Sequence, residues 1–134
     1  MATEFELTMT GTTKNLLDSI AVLADHKVNL STVATAKVGD RYVIKFLTGD
    51  EDEVRRTFMK ADLPFKERKV LVVNLHNRPG EWFKVAKQFA IAGIEIEASY
   101  MLSQIGDQMR FIFLVNDFEK AKKICSQIAE CSVG

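Results

Sequence analysis

The sequence predicts an α+β protein of two tandem βαββαβ units, each an antiparallel sheet with two helices on one face, and three observations predict it. The first is an internal repeat. A slide of 66 residues lays Leu16, Ile20, Leu23 and Val28 over Trp82, Ala86, Phe89 and Ile94; a slide of 67 lays Gly39, Asp40, Ile44 and Phe46 over Gly106, Asp107, Phe111 and Phe113. The second is the apolar period, which switches within each copy from alternation to helical spacing and back. The third is length: 134 residues of ordinary apolar content accommodate two small units that each bury a core.

The elements follow in order. Phe5, Leu7 and Met9 alternate with Glu4, Glu6 and Thr8, which marks a half-buried strand. Leu16, Leu17, Ile20, Leu23 and Ala24 recur at helical spacing, and Val28, Leu30, Thr32, Ala34 and Ala36 return to alternation. Gly39-Asp40 is a hairpin turn into a strand over residues 42–47. Asp50 opens a helix to about residue 61, with Asp50 and Glu53 spaced as a capping box, and Pro64 ends it. A strand near 65–67 then runs into one at 70–75 with no Gly/Pro/Ser linker, so units 1–68 and 69–134 are expected to pack together.

The second copy repeats the pattern with a hairpin at Gly106-Asp107 and a last helix over 117–129, but only five residues follow that helix. The second unit is therefore expected to lack its last strand. Strand 70–75 would keep an open edge, which predicts a homodimer or larger assembly.

Composition narrows the function. Lysine plus arginine equals aspartate plus glutamate at 18 each, so no net field draws the chain to nucleic acid or an anionic membrane. Cys125 and Cys131 fall six apart in a stretch that reads as helix, on different faces, and are expected to be free thiols in a reducing compartment. The start, MATEFELTMTG, lacks the pattern of a signal peptide, and no apolar run reaches a membrane span; a cytoplasmic protein is expected. His26 and His76 lie far apart without ligand spacing, so no metal is expected. No serine elbow, phosphate loop or cysteine–histidine pair occurs, and neither enzyme activity nor a cofactor is expected. The strand Met109-Arg110-Phe111-Ile112-Phe113 lacks the basic, glycine-rich aromatic pattern of an RNA reader.

The segment Leu75-His76-Asn77-Arg78-Pro79-Gly80-Glu81-Trp82 joins a strand to a helix. Asn77 suits a cap or turn position, Pro79 the first helical turn, and Gly80 a close backbone approach. A helix start with free amides receives a carboxylate, though these residue types also simply start helices.

Asn77-Arg78-Pro79-Gly80, then Ala92-Gly93-Ile94-Glu95-Ile96, then Tyr100 resemble an ACT domain, and the second repeat is especially similar to the regulatory domain of phosphoglycerate dehydrogenase. Through the repeat the likeness extends to the first half, as in a tandem ACT protein with no catalytic domain. The resemblance implies ferredoxin-like units and an amino-acid effector held between units, where the loop after one unit's first strand meets the start of a neighbour's second strand. Carried over residue by residue, it places Asn77 and Gly80 at the loop positions and Asn29 at the start of the facing strand, and Arg78, Pro79, Glu81 and Trp82 beside them complete the candidate ligand-binding residues. The first copy's loop, Gly11-Thr12-Thr13-Lys14, has Thr13 for the proline and Lys14 for the glycine aligned with Gly80, and Glu95 stands where Asn29 would recur. One composite site is thus expected, from the second loop and Asn29. The serine-sensing relatives carry a histidine two residues before the asparagine; here that place is Leu75 and the histidine is His76.

Trp82 and Phe83 open an apolar helix face and read first as core, with Trp82 also a candidate pocket floor. The function expected is a regulatory sensor of an amino acid, read out by a regulated enzyme or transcription regulator. The alternative is a protein–protein interaction or oligomerisation module whose ligand site has decayed.

Overall fold

Phe5 and Leu7 are fully buried along β1 (Thr3–Thr10), as their alternation requires, in the computed structural model, which describes residues 2–132. The first unit continues with α1 (Thr13–Asp25), β2 (Leu30–Val38), β3 (Arg41–Thr48), α2 (Glu51–Lys60) and β4 (Lys66–Lys69). Its four-stranded sheet has the order β2-β3-β1-β4, with β3 antiparallel to both β1 and β2. The register sets Phe5 opposite Phe46 and Leu7 opposite Ile44. Leu16 and Leu23 of α1 and Val54 and Phe58 of α2 close over that face. Phe46 stacks on Phe5 at 5.6 Å and meets Phe58 edge-on at 6.1 Å, so three fully buried rings anchor the unit.

The second unit runs from Lys69 and takes in Ala2, whose carbonyl accepts from the Val70 amide at 3.1 Å. It comprises β5 (Leu71–His76), α3 (Glu81–Ile91), β6 (Ile96–Ile105), β7 (Gln108–Val115), α4 (Phe118–Ile128) and β8 (Glu130–Ser132). The sheet order, β6-β7-β5-β8, repeats that of the first unit. Leu71, Val73 and Leu75 alternate onto the helix-covered face, where they meet Val85 and Phe89 of α3 and Ala121 and Cys125 of α4. Asp117 caps α4 by accepting from the Lys120 amide at 3.1 Å. The chain therefore adopts the two ferredoxin-like βαββαβ units that the repeat predicts.

Three expectations are corrected. The second unit does have its last strand: β8 pairs antiparallel with β5 from Val72↔Ser132 to Asn74↔Glu130, and the edge that predicted a homodimer is covered over that length. The strand is only three residues long and largely polar, too short to show a period. At α2, Asp50 makes no side-chain cap; Thr48 Oγ1 accepts from the Asp50 amide at 3.0 Å, while Glu53 turns to Arg56 at 2.7 Å. The charge-assisted bond to the arginine outcompetes the return bond of a capping box. Cys125, fully buried, is disulfide-bonded rather than free. The helix that was to hold both cysteines on different faces ends at Ile128, and residue 131 falls in β8. No helix among the described residues is long and apolar enough to cross a membrane.

Candidate functional site

The loop that carries the motif begins where β5 ends. Its position is fixed from the β6–β7 turn: the Asn77 amide donates to the Asp107 carbonyl at 2.7 Å, and His76 Nδ1 lies 2.8 Å from the Asp107 carboxylate. The first unit uses the same device, with the Gly11 amide donating to the Asp40 carbonyl at 3.2 Å. Gly-Asp turns thus do more than reverse the chain, because each holds the loop that precedes a helix.

The helix starts later than Asn77 and Pro79 suggested. Gly80 is the N-cap residue and α3 begins at Glu81, so Asn77 is a turn residue and Pro79 lies outside the helix. Gly80 has φ of +83°, a left-handed conformation that suits glycine, and a Cβ there would meet no atom within 4 Å. No side chain caps the helix, and the Glu81 amide makes only a long bond of 3.4 Å to the Arg78 carbonyl. The amides of the first turn therefore face outward with the positive end of the helix dipole.

The charges around that turn are compact. Glu81 is mostly buried and receives Arg78 at 3.4 Å and Lys84 at 3.7 Å. Two cations against one carboxylate leave a positive balance beside the free amides. Arg78 pairs with Glu81 while its side chain stays exposed to solvent. Trp82 lies flat on Phe113, ring centres 5.8 Å apart, and its indole N–H donates to Ser99 Oγ at 3.0 Å. Its ring braces α3 against β6 and β7.

The corresponding start of α1 is built differently. Asn15 Oδ1 accepts from the Thr12 amide at 2.7 Å and the Thr12 hydroxyl at 3.0 Å, and it lies 2.2 Å from where a Cβ of Gly11 would stand. A side chain of the protein already occupies that loop. Lys14 points away, paired with Asp18 at 2.9 Å. Asn29, exposed just before β2, accepts on its carbonyl from Thr48 Oγ1 at 2.7 Å.

Of the motif segment only Leu75, His76 and Glu81 line a cleft of about 850 Å³ on the second unit, and Asn77, Gly80 and Trp82 do not. Its floor includes Asn74 and Arg110, paired across β5 and β7. The signal was positional: each is a polar side chain flanked by apolar neighbours in its strand, Val73 and Leu75 for Asn74 and Met109 and Phe111 for Arg110.

No protein-family model matches the chain, and no curated protein matches it. Solved structures do. Protein BT0572 from Bacteroides thetaiotaomicron superposes with a TM-score of 0.85 at 17% identity, covering 98% of this chain and 91% of that one. The regulatory subunit of aspartate kinase from Thermus thermophilus, in its ligand-free form, matches with a TM-score of 0.64 at 14% identity over 94% of this chain and 91% of that one. The corresponding subunit from Thermus flavus matches at 0.61 and 13%, over 94% and 90%. The fold is shared with these regulatory subunits. At such identities the likeness concerns the fold, and function has to be argued from the residues.

Proposed function

We propose that this chain is a non-catalytic regulatory module that binds an amino acid, with the ligand carboxylate received at the start of α3. The observation that carries the reading is the contrast between two equivalent helix starts: α1 is filled by Asn15, whereas α3 is uncapped, opens on left-handed Gly80 and is flanked by Arg78 and Lys84. Free amides at a positive helix end are a receptor for a carboxylate. The side-chain carbonyl of Asn77, exposed beside them, is the acceptor proposed for the ligand ammonium. The aspartate kinase subunits that share the fold are regulatory by description, which supports the same reading. A regulated enzyme or transcription regulator would read the liganded state, through differential affinity of the ligand for two arrangements. A thermal-shift screen against the twenty amino acids tests the proposal, because a ligand that binds only the folded chain raises its melting temperature.

A second reading has its own observation. β2 is an edge strand of its sheet and exposes Val33 and Val38, which favours a surface for pairing with a second copy or another chain. Light scattering on the purified protein tests it: a concentration-independent monomer removes self-pairing from consideration.

A further inference from the structure

The last strand of each unit has to be fastened to the fold, because a strand of three or four residues makes few ladder bonds of its own. In the first unit charge does this: Arg55 of α2 reaches Glu67 of β4 at 2.8 Å. In the second unit the chain leaves α4 at Ile128 and enters β8 directly after Ala129. Glu130 accepts from Asn74 Nδ2 of β5 at a long 3.3 Å.

The stronger fastening is covalent. Cys125, in the last turn of α4, is fully buried and disulfide-bonded. The residue aligned with it in the first unit, under the same 67-residue slide, is Phe58, equally buried, so the place in the core is kept and its chemistry is changed. The sequence holds two cysteines, and the other is at position 131. The register sets residue 131 opposite Val73, and Val73 packs in the same core cluster as Cys125. A ring closed between positions 125 and 131 is short. The stabilisation a disulfide gives grows with the loop it closes, so this one acts on the segment it spans more than on the whole unit.

We infer that the Cys125 disulfide closes on Cys131 and is a redox clasp, which holds β8 on the edge of β5 when oxidised and releases it when a dithiol reduces it. The bond takes up two electrons and two protons and becomes two thiols, while the dithiol is oxidised to its own disulfide. The Cys125 thiol then stays in the core as a small apolar group, so α4 keeps its packing. β8 does not, since a chain end of a few residues stays ordered only where it is tied down. Its release withdraws Glu130 from Asn74 and removes the wall that Ala129 and Glu130 give the cleft. It also bares the backbone of β5 from Val72 to Asn74, an edge to which another strand can add. The clasp does not depend on the reading of the loop before α3.

Peptide mapping of the alkylated, unreduced full chain, followed by amide hydrogen exchange with and without dithiothreitol, tests it. The expected results are a cross-link between residues 125 and 131 in the chain equilibrated with oxidised glutathione, and exchange at residues 130–132 about tenfold or more faster after reduction, while β7 keeps its protection. Reoxidation restores the slow exchange. Cys131→Ser, which leaves the buried Cys125 in place, exchanges at the reduced rate in either condition. Absence of the cross-link, or an unchanged rate at residues 130–132, overturns the clasp. Loss of protection across the whole second sheet on reduction overturns it too, because the bond would then staple the entire unit.

Discussion

Asn15 Oδ1 sits 2.7 Å from the Thr12 amide, and this one contact separates two loops that the internal repeat makes equivalent. In the first unit the protein supplies its own polar group at the helix start. In the second, the position equivalent to Asn15 is Glu81, and it is drawn to Arg78 and Lys84 instead of back onto the loop. Removing the contact gives the first prediction. Asn15→Ala should lower stability by about 1 kcal/mol in urea unfolding and leave any amino-acid response unchanged, since the response belongs to the other unit.

Gly80 gives the second. Its φ of +83° costs an alanine about 1 kcal/mol, and because no atom lies within 4 Å of the added methyl the cost is conformational alone. Gly80→Asn, which tolerates the left-handed region better, should lose less than Gly80→Ala in the same unfolding experiment. Equal losses would mean that the constraint at this position is not the backbone angle.

Trp82 gives the third. Trp82→Phe keeps a ring against Phe113 and deletes the bond to Ser99 Oγ. A loss of about 1 kcal/mol is expected, against a much larger loss for Trp82→Ala, which removes the stack as well.

The fold was legible because its elements repeat and because Phe5, Leu7, Phe46, Phe89 and Phe113 keep their periods. β8 was not, since three residues after a helix end carry no periodic signal. The helix start at Gly80 was placed too early because Asn77 and Pro79 are good starting residues in either register, and only the anchor of Asn77 on Asp107 decides. Asn74, Arg110 and Glu130 were invisible as a group: they lie 36 and 20 residues apart, and only strand register makes them neighbours.

Lys45 gives the fourth prediction, for pH. Burial disfavours its charge, but hydrogen bonds and charges from Glu6 and Glu4 outweigh that and raise its pKa above the ordinary 10.5. Lys45 lies 3.1 Å from the fully buried Glu4 and also pairs with Glu6. A pKa raised in the folded state means stability that is fully present below about pH 10.5 and is lost as pH climbs through the folded value. Unfolding free energies measured at pH 8 and pH 11 should show that loss in the parent chain and a smaller one in Lys45→Met, which should itself be destabilised by about 3 kcal/mol at pH 8.

The central claim, an amino acid received at the start of α3, is tested most directly by melting the parent protein, Asn77→Ala and Lys14→Ala with each of the twenty amino acids. The account predicts that at least one amino acid raises the melting temperature of the parent and of Lys14→Ala, and that the shift is reduced or lost in Asn77→Ala. A folded parent that no amino acid stabilises, or a shift that Asn77→Ala keeps in full, would contradict it.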